Sequence, residues 1–358
     1  MSSTINLGNL SVSVFGESHG PAVGTVIDGL PSGRELSLDK IYDFMSRRAP
    51  KKDGTSTFRN EKDMPEILSG FYKGKTTGEA LCAVIRNNDR HSSDYESISS
   101  LARPGHADYT GYVRYNRSND LRGGGHFSGR LTAPLVFAGA VCSQLLEKMG
   151  IITAAHIYSI GNEKDTGFDP VNVGRDMLNT VKTRYLPLID ETADERMRAA
   201  IDKARENKDS LGGIVECAAV GVPAGIGSPT FDGLENRISQ TVFSVPAVKG
   251  IEFGIGFEAA SLYGSQNNDE FYIDDKCIKT RTNNAGGILG GISNGMPLIF
   301  RTAIKPTPSI AKAQNTVDFI KNENAVIEIK GRHDPCIVPR AVPCIEAALN
   351  IALMSYFC

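Results

Sequence analysis

Leu131 to Met149 is almost uniformly apolar, and Gly139, Ser143 and Gln144 interrupt its longest run. A helix that is apolar on every side is buried, so the remaining chain has to fold around this segment. The run is too short and too broken for a membrane span. The stretch directly before it has the opposite character. It contains Arg103-Pro104-Gly105-His106-Ala107-Asp108, then Arg114, Arg117 and Arg122, then Gly123-Gly124-Gly125-His126-Phe127-Ser128-Gly129-Arg130. Backbone freedom, fixed positive charge and titratable rings arrive together just ahead of a buried helix. That combination describes a pocket for a polyanionic small molecule.

Composition narrows the class without naming it. With 358 residues the chain can bury a large core, and no linker is clean enough to cut it, so a single domain over residues 1–358 is expected. A net charge of −2 gives no global field to gather nucleic acid or an anionic membrane, so anion binding has to come from local clustering. The first ten residues lack the pattern of a signal peptide. The seven cysteines form no CxxC pair and read as free thiols of a reducing cytoplasm. The six histidines, His19, His91, His106, His126, His156 and His333, show no metal-ligand spacing, so no metal site is expected.

Hydrophobic periodicity predicts a mixed α and β chain. Strands are expected at 10–15, 22–27, 67–71, 80–85, 155–160, 213–222, 251–257, 298–304 and 325–329. Helices are expected after a Ser37 cap with Ile41, Phe44 and Met45 as the apolar stripe, and at 132–148, 190–207, 232–242 and 340–357. Residues 51–63 read as a mobile polar loop and 261–280 as a polar excursion or flap.

Several motifs could carry chemistry. Gly16-Glu17-Ser18-His19-Gly20 has the form of a hydrolase nucleophile elbow, but only one short strand precedes it and no oxyanion segment lies nearby. The better reading is a loop at a strand end, with Ser18 as a hydrogen-bond donor and His19 as a proton donor. His106 follows a Pro-Gly turn that exposes its ring, and Asp108 either orients that ring or pairs an arginine. The triple glycine would let backbone N–H groups approach a phosphate, or would let two segments pack closely. It is neither a P-loop nor a dinucleotide fingerprint. Arg48, Arg130, Arg332 and Arg340 flank turns or helix ends, where each charge-assisted bond to an anion contributes about 1.5–3 kcal/mol once partly desolvated.

Taken together, these segments resemble the chorismate synthase family. The matching pieces are Phe15-Gly16-Glu17-Ser18-His19-Gly20, Asp28-Gly29-Leu30-Pro31, Arg103 to Asp108, Gly123-Gly124-Gly125, Ala247-Val248-Lys249-Gly250-Ile251-Glu252, the Asn284 to Gly291 glycine run, Lys305-Pro306-Thr307, and Gly331-Arg332-His333-Asp334-Pro335 with Arg340-Ala341-Val342-Pro343. They span nearly the whole chain in the family's order. The resemblance implies an α+β fold, a β-α-β sandwich with helices between two antiparallel sheets, and a homotetramer. It implies a lyase that eliminates phosphate from 5-enolpyruvylshikimate 3-phosphate to give chorismate in aromatic amino acid biosynthesis. Reduced FMN would be the cofactor, without net redox change.

By position, the resemblance makes His19, His106 and Asp334 catalytic, and makes Ser18, Arg48, Arg130 and Arg340 substrate-binding. Flavin contacts would fall at His126, Phe127, Ser128, Pro246, Ala247, Gly290, Lys305, Pro306, Thr307, Pro308, Ser309 and Arg332. No separate reductase-like domain is visible, so an external flavin reductant is expected, with the chain's own use of NADPH as the alternative. The chain departs from the family at three places. His126-Phe127-Ser128-Gly129-Arg130-Leu131-Thr132 stands where Arg-Ser-Ser-Ala-Arg-Glu-Thr is common, Pro246 stands for Asn, and Gly54 stands for a basic residue. The alternatives are a flavin- or phosphate-binding protein without turnover and, less favoured, a serine hydrolase.

Overall fold

The computed structural model describes residues 3–49, 63–87, 100–329 and 334–358. Its first sheet is built from β1 (Thr4–Leu7), β2 (Leu10–Gly16), β3 (Ala22–Asp28), β4 (Pro65–Ser69) and β5 (Leu81–Arg86). The strand order is β1-β2-β3-β5-β4, with every neighbouring pair antiparallel. Leu10 and Val12 of β2, Val23 and Ile27 of β3, and Leu81, Ala83 and Ile85 of β5 all enter the core. This is the alternation that a sheet with one buried face requires.

The second sheet contains β6 (Ile152–Ile160), β7 (Glu163–Lys164), β8 (Gly213–Val220), β9 (Val248–Phe253) and β10 (Leu298–Ile304), in the order β9-β10-β8-β6-β7 and again antiparallel. Ala155 and Ile157 of β6 face the main core, whereas Ile152 and Ala154 join a second apolar cluster. Leu178 and Val181 of α4 (Arg175–Thr183) fill that second cluster. The second sheet is therefore covered on both faces.

Between the sheets lie α3 (Thr132–Lys148) and α7 (Val338–Met354). Residues 132–146 of α3 are all buried, as are residues 341–354 of α7. α3 packs on α7 and reaches β3 and β5, while α7 packs on β6 and β8. The two helices meet closely at Gly139, where a Cβ would lie 2.3 Å from that of Ala347. α3 and the turn before it are long and apolar enough to cross a membrane, but they form the inner layer of the sandwich. Periodicity predicts mixed α and β, the resemblance implies this layering, and it follows from burying two mostly apolar helices on nearly every side.

α1 (Leu38–Ser46) is capped by Ser37, whose hydroxyl accepts from the Lys40 N–H, and it buries Ile41, Phe44 and Met45. α5 (Ala193–Glu206) and α6 (Leu234–Val242) fall within the spans expected from spacing. Other elements differ. The strand expected at 251–257 starts at Val248 and stops at Phe253, because Gly254 turns to a φ of 56°. The excursion at 261–280 contains a hairpin, Phe271–Asp274 with Cys277–Thr280. β1, α4, a helix α2 (Asp108–Arg114) and the strand Gln314–Asp318, which pairs with Glu323–Ile327, were not expected. Of the loop expected at 51–63, only Asp63 lies within the described residues.

Candidate active site

The triple glycine sits between two imidazoles. Gly123, Gly124 and Gly125 have φ values of 61°, 97° and 53°, which side chains rarely allow. A Cβ on Gly123 would fall 2.3 Å from the His19 ring, and one on Gly124 would fall 3.1 Å from the His106 ring. The loop after β2 docks on the same segment. The Ser18 N–H donates to Gly125 O at 3.1 Å, and the Ser18 hydroxyl donates to Arg122 O at 3.3 Å. The Gly124 N–H is already donated to Leu121 O. Close packing against the two rings at Gly123 and Gly124, and against the Asp120 carbonyl at Gly125, therefore accounts for these glycines without invoking a phosphate cradle.

His106 is held from one side. Its Nδ1 lies 2.8 Å from Asp108 Oδ1. Arg103 grips the same carboxylate through Nε at 2.7 Å, a terminal nitrogen at 2.6 Å and its backbone N–H at 2.9 Å. Asp108 thus orients the ring and pairs an arginine at once. Burial alone would raise the Asp108 carboxyl, but the bonds from Arg103 and His106 outweigh it and hold it far below the usual carboxylate range. With Nδ1 engaged, Nε2 is the nitrogen turned toward Gly124.

Lys305 joins the His106 turn to the second sheet. Its ammonium donates to Gly105 O and its backbone N–H donates to Ala247 O at 2.9 Å. Ala247 holds a positive φ of 74°, and Pro308 packs beside Gly105. Partial burial, reinforced by Lys249, lowers the Lys305 ammonium below its ordinary range. The Thr307 hydroxyl is buried without a hydrogen-bond partner among the described residues, although its backbone carbonyl accepts from the Ser210 hydroxyl at 2.7 Å. A partly buried ammonium and, two residues further along the chain, an unsatisfied buried hydroxyl are donors suited to a phosphate-bearing group.

Three arginines from different parts of the chain converge nearby. Arg48, just past α1, donates through Nε to the Thr132 hydroxyl at 2.7 Å and through a terminal nitrogen to Gly129 O. Arg130 donates through Nε to Asn87 Oδ1 at 2.9 Å and through a terminal nitrogen to Arg86 O. Both guanidiniums also bond Asp63, one to each carboxylate oxygen. Arg340, in the first turn of α7, donates to Asp334 Oδ2 at 2.6 Å and to Arg48 O at 3.1 Å. Burial would raise the Asp63 carboxyl, yet Arg48 and Arg130 hold it below its ordinary value. Burial lowers Arg48 despite the attraction of Asp63. In Arg340 the attraction of Asp334 outweighs burial, and the guanidinium titrates higher. Asn87 ties this cluster to the His19 loop, because its amide donates to Glu17 O at 3.1 Å and Gly20 O at 2.9 Å.

Hence the structure draws Ser18, His19, His106, Arg48, Arg130, Arg340 and Asp334 into one connected neighbourhood with the triple glycine. Other expected residues have structural tasks. The His126 ring bonds the Ser3 hydroxyl and Gly16 O, each at 2.9 Å. Phe127 packs against Gly111 and lies 6.1 Å from the Tyr115 ring. The Ser128 hydroxyl accepts from the Arg130 N–H and caps the turn before α3. Gly290 is exposed in the turn of a small hairpin whose Gly291 carbonyl accepts from Leu234, at the start of α6; Pro246 is exposed beyond that helix's other end. Arg332 lies outside the described residues. The reading of the sequence missed Asp63 and Asn87, and it left Arg103 without a role. Nothing in a lone Asp of a polar segment, or an Asn closing a strand, marks it in advance.

Comparison with known proteins agrees with this geometry. The family model described as chorismate synthase matches residues 10–358. A chorismate synthase of Korarchaeum cryptofilum is 46% identical over 345 residues, covering 96% of this chain and 94% of that protein. One from Dehalococcoides mccartyi is 46% identical over 349 residues, covering 97% and 95%. One from Thermococcus kodakarensis is 44% identical over 347 residues, covering 97% and 95%. A solved chorismate synthase crystal structure superposes with a TM-score of 0.77 at 31% identity, covering 98% of this chain and 92% of that one. With the motifs in family order, the same sandwich, and matches across nearly its whole length, the chain belongs to the chorismate synthase family.

Proposed function

We propose that this site performs its family's reaction, the anti 1,4-elimination of phosphate from 5-enolpyruvylshikimate 3-phosphate to give chorismate. The observation that carries the reading is the seating of His19 and His106 on adjacent glycines, with Arg130 joined to the His19 loop through Asn87, Arg48 joined to Arg130 through Asp63, and Arg340 bonded to the Arg48 carbonyl. The substrate brings two carboxylates and a phosphate, and Arg48, Arg130, Arg340 and Ser18 hold these groups. Such fixed cations neutralise charge that develops on a departing phosphate, and they act most strongly away from water. His19 donates a proton to that phosphate as its bond to carbon breaks. Asp334, beside Arg340, assists removal of the substrate's proton. Asp108 and Arg103 fix the His106 imidazole so that Nε2 handles a proton at the cofactor.

The cofactor is reduced FMN, which when bound supplies electron density without net redox change. Lys305 and the unsatisfied hydroxyl of Thr307 would hold its phosphate-bearing end. Ala247, Pro306, Pro308 and Ser309 would border it, with Pro246, Gly290 and Arg332 contributing in the complete site. His126, Phe127 and Ser128 would act mainly through backbone, since their side chains are engaged elsewhere. An external reductant supplies the reduced flavin, and the enzyme works in the cytoplasm as a homotetramer. Exposed Phe257, Tyr263, Phe271, Ile273 and Ile278 support a subunit contact.

The test is anaerobic turnover. Purified protein given chemically reduced FMN and the enolpyruvyl substrate should release phosphate and chorismate in equal amounts. Flavin binding with no phosphate release would favour a binding protein instead.

A further inference from the structure

Asp63 lies beyond every role assigned above. Its side chain is 1% exposed, and each carboxylate oxygen takes a different guanidinium, Arg48 on one side and Arg130 on the other. Other side-chain hydrogen bonds hold the two arginines to different groups. Arg48 is fixed to the α3 start through Thr132 and Gly129, and Arg130 to the β5 end through Asn87 and Arg86. Among these contacts Asp63 alone joins the two guanidiniums to each other. Without it, like charges would stand side by side in a buried place, where their repulsion is poorly screened. Asp63 also holds a left-handed φ of 46°, a conformation that persists only where surrounding contacts enforce it.

We propose that Asp63 is a positioning residue that couples Arg48 and Arg130 into a single rigid clamp for the substrate's anionic groups. This rests on the substrate-binding reading of those arginines. The carboxylate sets the spacing and orientation of two cations before substrate arrives, so the ordering cost is met during folding and not on binding. Its loss should therefore weaken binding more than it slows the chemical step.

The test uses the full-length enzyme with saturating reduced FMN. D63N should raise KM for the enolpyruvyl substrate by about 10- to 100-fold, the range set by one or two charge-assisted bonds, with kcat changed less than about threefold. Competitive inhibition by inorganic phosphate should weaken in parallel. D63E keeps the charge but lengthens the arm, and its KM should fall between wild type and D63N. Where D63N does not fold, D63E carries the test, and a wild-type KM in D63E overturns the inference. In a double-mutant cycle, D63N added to R48A should change KM by less than about threefold, because the partner through which it acts is gone. Full additivity, or a wild-type KM in D63N, overturns the proposal. R48A and R130A separate this from the underlying reading. If they keep a wild-type KM, the clamp itself is wrong. If they raise KM while D63N does not, only the role of Asp63 is wrong.

Discussion

Two buried charge networks in this protein share no residue and differ in balance. In the first, the guanidiniums of Arg48, Arg130 and Arg340 meet the carboxylates of Asp63 and Asp334. Three cations face two anions among the described residues. In the second, His156 lies 2.9 Å from Glu216 and 3.3 Å from Asp165, and Arg301 lies 2.8 Å from Glu216. Burial would lower the His156 imidazole, but the two carboxylates outweigh it and raise it. Glu252 also lies 3.8 Å from Arg301, so even with His156 protonated two cations face three anions, and backbone N–H groups of Phe168, Ile189 and Asp190 satisfy further carboxylate lone pairs. A network whose carboxylates outnumber its cations has no need of a further anion and serves to hold the fold together, whereas a network one negative charge short is ready for an anionic guest. Burial and ion pairing look alike in both, and only the charge count separates scaffold from site.

Substitutions at the two histidines of the site should give the largest effect. His106→Ala and His19→Ala should each lower kcat by about 10²–10⁴-fold, with KM changed only a few-fold; steady-state kinetics under anaerobic conditions measures both. Near-normal rates in both variants would remove the catalytic assignment. Arg340→Ala comes next. It should raise KM by about 10- to 100-fold, as loss of charge-assisted bonds predicts, and an unchanged KM would make the first network a scaffold like the second.

Breaking the second network should cost stability and leave substrate affinity alone. Glu216→Gln removes the carboxylate that His156 and Arg301 share, and loss of one partner of a buried pair costs up to about 3–5 kcal/mol. Chemical denaturation would measure the loss, and a shifted KM would merge the two networks functionally. The pH dependence has a defined sign. The folded His156 titrates above its ordinary 6.5, so its contribution is fully present below that pH and is lost as pH rises through the raised folded value. The Tm gap between wild type and His156→Gln should be widest near pH 6 and narrow toward pH 9. A gap that widens instead would contradict the ion-pair assignment. The smallest effect is expected at Ser18, where a fluorophosphonate probe should leave no covalent label. Labelling that Ser18→Ala abolishes would reopen the hydrolase reading.

Sequence pattern made some elements legible and hid others for physical reasons. α3 and α7 announced themselves because helices buried on nearly all sides need long, mostly apolar runs. α4 buries only Leu178 and Val181, and α2 only Asp108 and Gly111, so neither carries an apolar stripe long enough to detect. Gln314–Asp318 pairs with its own hairpin partner, bridges otherwise only to Leu101 among the described residues, and leaves Val317 exposed, so its alternation is weak. In the site, the histidines and arginines stood out by residue type and setting. Asp63 and Asn87 did not, since their importance lies in which distant groups they touch.

The sequence by itself determined a chain with two mostly apolar helices to bury, a glycine segment that no regular helix or strand would welcome, and imidazoles and guanidiniums spaced in one family's order. These are properties of local residue type, readable without coordinates. Tertiary structure decided which glycine faces which ring, which arginines share Asp63, and that His126 serves the first strands. Each of those outcomes joins groups far apart along the chain. Their energy depends on distance and desolvation in three dimensions, and neither quantity is written in any single stretch of residues.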